Sequence, residues 1–576
     1  MNLLPVPRTL ELNGNTVRAR SATRRRDLSL PPQGYELHFG SDSVELAAAD
    51  AAGFFYAETT MAQLATLHDG ALPEGVVRDH PDFPVRGVML DISRDKVPTT
   101  ERLHALIDRL ASFKINQLQL YSEHTFAYRN HQEVHAEASP LDANEIRALD
   151  AYCRERHIEL VPNQNCLGHM NRWLAHERYR PLAIEPDGFV DPYGIAREPM
   201  TIEPNDPRSL ELVRELLAEL LPLFTSRRVH VGLDEAWELP AGRIDDFLAW
   251  ATTLRGLPEL DDREMLMWGD MLAGQPDLLA RLPSGVTVCE WGYDDWHPFD
   301  ERCAALAAAG VPFWVAPGTS SWMSILGRVT NARNTCERAA AAALAHGAVG
   351  YLNTDWGDLG HLQQPVISEP GFAYGAAVSW CLESNADLDL AAALSTHVFR
   401  DPTGGMAAAV LSLGDAHRLV TPQFPNMSTL VMNLYYPQLP VGRGLTKGLT
   451  AAELPEVERC LEEARRAVCG SKPDRSDAQR LRDEVTFGID LVNLLLRDAR
   501  ARLEVDGFLE SVPTHVRASL GTDLDELTER YRSLWLANNR PGGLEDSVHW
   551  LANLRHAYAT GRPDPEWGGI RVPARG

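Results

Sequence analysis

From Val85 onward the chain repeats one pattern, a short β-branched or apolar run followed by an amphipathic stretch of helical length. Such alternation is the sequence form of βα units, because parallel strands need a crossover of a dozen or more residues between them. Eight runs fit a strand: Val85–Ile92, Ile115–Tyr121, Ile158–Pro162, Arg228–Leu233, Met265–Trp268, Val286–Trp291, Pro312–Ala316 and Val349–Asn353. Helical stretches between them include Thr100–Phe113, Asp142–His157, Pro207–Thr225, Arg302–Ala309 and Asn331–His346, and Ser368–Cys381 closes the series. Eight units over about 300 residues predict an α/β fold of the (β/α)8 barrel type, although counting alone also admits a doubly wound sheet.

The flanks read differently. Before the barrel, Tyr35–Phe39 and Ser43–Leu46 alternate in polarity around a Gly40-Ser41-Asp42 turn, and Ala51–Leu67 offers Phe54, Phe55, Met61 and Leu64 to one helical face. A small α+β domain is expected there. Beyond residue 390 the strand signal fades into long charged amphipathic stretches, among them Ala452–Val468 and Asp477–Leu503, which predict an all-helical C-terminal domain. A chain of 576 residues can build three cores, and the expected boundaries are 1–82, 83–390 and 391–576. The apolar faces of the C-terminal helices leave a homodimer open as one way of covering them.

Acidic residues outnumber basic ones by 80 to 55, and the formal charge of -25 repels phosphate backbones and anionic membrane faces. Neither nucleic acid nor membrane is an expected partner, and no apolar stretch approaches the ~20 residues of a membrane span. The N-terminal residues carry no cationic segment leading into an apolar run, and the eight cysteines form no C-x-x-C pair. A cytoplasmic protein with reduced, buried cysteines is the expectation.

In barrels of this kind the chemistry gathers where the strands end. Those ends carry Asp91, then Ser122-Glu123-His124, then Asn163-Gln164-Asn165 with Gly168-His169, then Asp234-Glu235. The remaining four carry Trp268-Gly269-Asp270, Glu290-Trp291-Gly292-Tyr293, Ser320-Ser321-Trp322 and Asp355-Trp356-Gly357-Asp358. Carboxylates and indoles therefore share one rim. That mixture suits a sugar, whose C–H face stacks on an indole while its hydroxyls need acids and amides. The adjacent Asp234-Glu235 is the sharpest feature, because two neighbouring carboxylates suppress each other's ionisation and separate in pKa.

His230-Val231-Gly232-Leu233-Asp234-Glu235 resembles the H-x-G-G-D-E signature of glycoside hydrolase family 20, the β-N-acetylhexosaminidases. Arg86-Gly87-Val88-Met89-Leu90-Asp91-Ile92-Ser93-Arg94 is similar to that family's first barrel strand, and Gly168-His169 to its P-G-H turn. Trp268, Trp291 and Trp356-Gly357-Asp358 occupy the places of its pocket tryptophans and final W-x-E, and Gly53–Tyr56 with Gln63-Leu64 resembles its preceding α+β domain. The likeness covers residues 35–385, and the helical C-terminal domain resembles that of an intracellular bacterial branch.

The resemblance implies exo-hydrolysis of terminal β-linked N-acetylglucosamine, or N-acetylgalactosamine, by a retaining route in which the substrate's own acetamide attacks the anomeric carbon. It makes Glu235 the acid and base, and Asp234 the residue that orients the acetamide. Trp268, Trp291 and Trp356 would wall the sugar, Arg86 and Asp358 would bind hydroxyls, and His169 would stand behind Glu235 with Glu123. Either Tyr293 or Trp322 would meet the acetamide oxygen. The sequence departs from the family pattern at Leu233, which replaces a glycine, at Asn163, which replaces an acid, and at Asp358, which is one methylene shorter than the usual glutamate.

No cofactor and no metal are implied. Two other readings stay open: a metal-dependent barrel hydrolase using His169 and His230, and a non-catalytic binder of amino sugars. Against the first, no H-x-H or H-E-x-x-H spacing occurs in the chain.

Overall fold

The computed structural model describes residues 2–17, 21–94, 96–192 and 194–564. Residue 1 and residues 565–576, at the outer ends of the expected flanking domains, lie outside the described residues. The chain opens with β1 (Thr9–Thr16), β2 (Ser21–Arg26), β3 (Tyr35–Phe39), β4 (Ser43–Ala48) and β5 (Pro73–Asp79), joined in the order β1-β5-β3-β4-β2. β2 runs parallel to β4 and the other pairs are antiparallel. The helix Ala51–Leu67, capped by the Asp50 side chain accepting from Gly53 N, covers one face of this sheet.

An eight-stranded parallel sheet follows, built from β6 (Arg86–Asp91), β7 (Gln117–Tyr121), β8 (Glu159–Val161), and, after a small hairpin β9 (Phe189–Val190) and β10 (Ala196–Arg197), β11 (Arg228–His230), β12 (Glu264–Trp268), β13 (Val286–Trp291), β14 (Phe313–Ala316) and β15 (Gly350–Asp355). β15 pairs with β6, and a parallel bridge between Asn163 and His230 joins β8 to β11, so the sheet closes into a barrel. All eight expected strands are present within a few residues of their predicted ends. Helices such as Thr100–Ser112, Ala143–Arg154, Pro207–Leu220 and Val329–His346 form the outer ring, and the helix after β12 is a single turn, Pro276–Leu279. Glu369–Trp380 is buried at every position, because the barrel, the N-terminal sheet and the C-terminal helices enclose it together.

Beyond the barrel the fold is helical, with Leu454–Gly470, Ala478–Leu503, Thr514–Asn538 and Leu544–Thr560 as its long members. Among the described residues no helix is long and apolar enough to cross a membrane. All eight cysteines are free and six are buried; Cys469 is exposed and Cys460 half-buried, so the expectation of buried thiols fails for these two.

Arg86 corrects the sequence reading. Side chains along a strand alternate between faces, so Gly87, Met89 and Asp91 look into the barrel while Arg86 looks out. It also stands five residues below the mouth, or about 16 Å at the rise of a strand. Its guanidinium is fully buried and spent on the Lys114 carbonyl (3.0 and 2.9 Å), the Phe83 carbonyl (2.7 Å) and the Tyr56 hydroxyl (3.1 Å), above the Trp380 ring. Arg86 thus joins the N-terminal unit to the barrel floor and is not a sugar ligand.

Beside it lies a buried ion pair, Lys114 Nζ to Asp79 Oδ2 at 3.0 Å, with Tyr35 OH donating to the same oxygen and Trp380 Nε1 to Oδ1. Removing one partner of such a pair strands a charge and costs about 3–5 kcal/mol. Lys114→Met is therefore expected to lower the urea midpoint followed by tryptophan fluorescence, and Asp79→Asn added to it should recover part of the loss. An unchanged midpoint for the single variant would contradict the pairing.

Candidate active site

Parallel closure brings all eight strand ends to one mouth. After β11 the backbone turns sharply, with φ of 71° at Gly232, 74° at Leu233 and 50° at Glu235. Two non-glycine residues in the left-handed region within three positions is a strained arrangement that surrounding contacts must hold. Leu233, which stands where the family signature has glycine, is fully buried, so apolar burial offsets part of that strain. Hydrogen bonds fix the rest: Gly232 N to His230 Nδ1 (3.1 Å), Leu233 N to Asn165 Oδ1 (3.3 Å) and Glu235 N to Asp270 Oδ2 (2.9 Å). The turn before His169 seats against this segment, since a Cβ on Gly168 would lie 2.3 Å from the Asp234 carbonyl oxygen.

The turn delivers Asp234 and Glu235 to one imidazole. His169 Nε2 lies 3.2 Å from Asp234 Oδ2 and 3.4 Å from Glu235 Oε2, and its Nδ1 lies 3.6 Å from Glu123 Oε1. Nε2 makes no well-aligned hydrogen bond, so the contacts are ionic. Burial alone would lower the His169 pKa, but the Asp234, Glu235 and Glu123 carboxylates outweigh it and hold the value well above the ordinary one. Asp234 shows the reverse balance: burial pushes its pKa up, while the charge of His169 and the amide of Asn165 (Nδ2 to Oδ1, 3.1 Å) bring it below the usual aspartate value. Glu235 is the more open of the two, with 28% of its side chain exposed.

Around this core sits a second layer of acid. Asp270 accepts from Glu235 N and from Trp291 Nε1 (3.4 Å), and burial beside Asp234 pushes its pKa up to about 7. Asp358 is pushed up to about 6, first by burial and then by Asp91 and Glu235, against the opposing Arg94 and His169. Arg94 Nη1 lies 3.1 Å from Glu123 Oε1 and 3.3 Å from Asp91 Oδ2, with its guanidinium over the Tyr121 and Trp356 rings. Tyr121 OH donates to Glu123 Oε1 (2.9 Å) and accepts from Asn165 Nδ2 (3.2 Å), completing a polar chain from Arg94 to Asp234.

The aromatic side is equally continuous. Trp268, Trp322 and Trp356 belong to the core inside the barrel, with Trp291 and Tyr293 packed at its open edge. Tyr293 stacks on Trp291 (5.1 Å, 17°) and meets Trp322 edge-on (5.1 Å, 88°), and Trp268 lies 5.9 Å from Trp356.

The structure therefore brings together Asp234, Glu235, Glu123, His169, Trp268, Trp291, Tyr293, Trp322, Trp356 and Asp358, and leaves out Arg86. Sequence reasoning gave no role to Arg94, Tyr121, Asn165 or Asp270. Their signal was position alone, Arg94 three residues past Asp91 and the others at or just beyond strand ends. The two histidines of the metal reading are poor ligands as placed: His169 favours its cationic form, and His230 gives Nδ1 to Gly232 N.

The model of the catalytic domain of glycosyl hydrolase family 20 matches residues 83–252, and that of the family's domain 2 matches residues 2–80. Both stretches thus match glycoside hydrolase family 20. Its relatives include a β-hexosaminidase of Akkermansia muciniphila, 26% identical over 41% of this chain and 53% of that protein, and one of Emericella nidulans, 27% identical over 46% and 49%. The chain thus spans about half the length of these curated relatives. Its fold is similar to that of the family 20 β-N-acetylhexosaminidase of Streptomyces coelicolor A3(2), at TM-score 0.55 and 20% identity over 69% of this chain and 96% of that one. A Streptomyces plicatus β-hexosaminidase mutant in complex with its product GlcNAc gives 0.55 and 19% over 69% and 95%.

In this site the raised Asp270 has a thermodynamic signature. Its protonated form is favoured on folding, so its contribution to stability is complete below the ordinary value of 3.8 and is lost as pH rises toward about 7. His169 acts with the same sign, contributing below its ordinary 6.5 and losing that contribution as pH climbs through its raised value. Asp270→Asn is expected to flatten the fall in unfolding temperature between about pH 4 and 7. Identical slopes for variant and parent, measured by calorimetry, would contradict the assignment.

Proposed function

We propose that this chain is an exo-β-N-acetylhexosaminidase that removes terminal β-linked N-acetylglucosamine or N-acetylgalactosamine. One observation carries the reading: His169 holds Asp234 and Glu235 together at the barrel mouth, beside an aromatic wall of Trp291, Tyr293 and Trp356. The curated relatives named β-hexosaminidase support the same substrate class.

In this reading Glu235, the exposed member of the pair, protonates the glycosidic oxygen and later deprotonates water. The buried, ionised Asp234 orients the 2-acetamido group, whose oxygen attacks the anomeric carbon to give a cationic oxazolinium. A fixed anion in a dry pocket stabilises that cation as it forms. Tyr293, rather than Trp322, meets the acetamide oxygen, because the single N–H of Trp322 already donates to Asn426 Oδ1 at 2.8 Å. Burial pushes the Tyr293 phenol well above its ordinary range, so it is a neutral donor. Asp358 and Arg94, paired electrostatically beside Trp356, supply hydroxyl contacts. The eight free cysteines support a cytoplasmic location within the same proposal.

Glu235→Gln cannot donate a comparable proton and should lose about 10²–10⁴ of kcat on an unactivated disaccharide of N-acetylglucosamine. The loss should be smaller on a nitrophenyl glycoside, whose leaving group needs less protonation. Asp234→Asn should slow both substrates alike. Near-parent turnover of the disaccharide by the Glu235 variant would refute its role. Activity that survives a strong chelator, together with release of aglycone at all, would set aside the metal-dependent and pure-binder readings.

A further inference from the structure

Tyr293 is held by barrel residues, among them Trp291 and Asn331, and also from outside the barrel. Two of its neighbours, Trp322 in the loop after β14 and Asp294 next in sequence, are both bound by one residue of the C-terminal helical region. Asn426 Oδ1 accepts from Trp322 Nε1 at 2.8 Å, across 104 positions, and Asn426 N donates to Asp294 Oδ1 and Oδ2 at 3.2 and 3.1 Å. The same segment ties the Trp322 loop once more, through Ser428 N to the Met323 carbonyl at 3.0 Å. Asn426 sits at φ 57°, a conformation that asparagine tolerates better than most side chains, so one residue supplies both the bend and the acceptor.

The next two strands round the barrel, β15 and β6, carry loops tied in the same way. The loop after β15, which carries Trp356 and Asp358, is gripped by the C-terminal helices at Gly360 and His361. A Cβ on Gly360 would lie 2.3 Å from Trp550 Cδ1, and Tyr531 OH donates to the His361 carbonyl at 3.3 Å. The segment that follows Arg94 is stapled to the same helices, by Arg540 N to the Val97 carbonyl (2.8 Å) and Thr99 N to the Asn538 carbonyl (3.1 Å).

We propose that Asn426 is a positioning residue of the sugar pocket, through which the helical C-terminal region fixes Trp322 and so the hydroxyl of Tyr293. The inference rests on the hexosaminidase reading of that pocket. Trp322 is almost wholly buried, so it touches sugar little and acts as the buttress against which Tyr293 stands. Loss of the acceptor frees the indole to rotate and leaves a buried N–H unpaired, and Tyr293 follows its neighbour.

The test is Asn426→Gly, which keeps the backbone bond to Asp294, accepts the positive φ without strain and removes only the side-chain acceptor. With a 4-nitrophenyl N-acetyl-β-glucosaminide, kcat/KM is expected to fall roughly fivefold, the worth of one typical hydrogen bond. In a Tyr293→Phe background the same change should have no further effect, because the positioned hydroxyl is gone. Equal kcat/KM for Asn426→Gly and parent would overturn the proposal, as would an undiminished fivefold loss in the Tyr293→Phe background, which would mark general damage. If the parent chain releases no nitrophenol, the hexosaminidase reading falls by itself, and the cycle is then read on N-acetylglucosamine affinity by tryptophan fluorescence. A fivefold weakening confined to the Tyr293 background would still support the positioning role, and equal affinities would overturn it.

Discussion

The molecule depends on an electrostatic constraint at the barrel mouth. Asp91, Glu123, Asp234, Glu235, Asp270 and Asp358 converge there, while His169 and Arg94 supply the positive charge that faces them. Repulsion among six carboxylates in a partly dry space is far larger than in water. The site relieves it by dividing the roles of its acids. Asp234, paired with His169 and Asn165, stays ionised, whereas Asp270 and Asp358 are pushed toward neutrality. A pocket with residual negative charge is costly, and in the proposed reaction the same excess lowers the energy of a cation formed from the substrate. A transition state that builds positive charge would then be bound better than a neutral glycoside, which is the condition for catalysis.

That arrangement also explains why so much aromatic surface lines the barrel. Trp268, Trp314, Trp322, Trp356 and Tyr121 fill the interior and exclude water from beneath the carboxylates. Large flat side chains lose little rotamer freedom when packed, so they make a rigid floor for a bend strained at Leu233 and Glu235. Rigidity at the open edge is harder to obtain, because Tyr293 and Asp358 stand on loops and Trp291 is the last residue of β13. Bonds from outside the barrel, to the Trp322 loop from Asn426 and to the His361 loop from Tyr531, supply it.

The barrel was legible in the sequence because parallel strands buried on both faces leave short apolar runs that amphipathic helices punctuate. Asp234, Glu235 and the tryptophans were legible because they follow those runs directly. Arg86 was misread: the resemblance attached to a motif that begins at the floor of β6 and ends at its mouth, and alternation turns Arg86 outward while the basic group at the mouth is Arg94. Asn165 and Asp270 were visible only as polar strand ends, since their partners lie 69 and 35 positions away and no local pattern encodes such bonds. The use of the C-terminal helices was hidden for a related reason. An amphipathic period says that one face is covered and does not say what covers it.

The departures from the family pattern can be weighed against the charge constraint. Asn163, which stands where an acid is common, accepts from Ser122 N at 3.2 Å and donates from Nδ2 to Gln119 Oε1 at 3.4 Å. A carboxylate could make only the first bond, and it would add another buried negative charge to a mouth that already holds six acids. The amide thus ties β7 to β8 without worsening the repulsion. Leu233 is the parallel case for the backbone: glycine would adopt φ 74° freely, whereas leucine accepts the strain and offsets it by filling the core beneath Asp234. Both substitutions act on how the carboxylate pair is supported, and neither removes a group that the proposed chemistry uses.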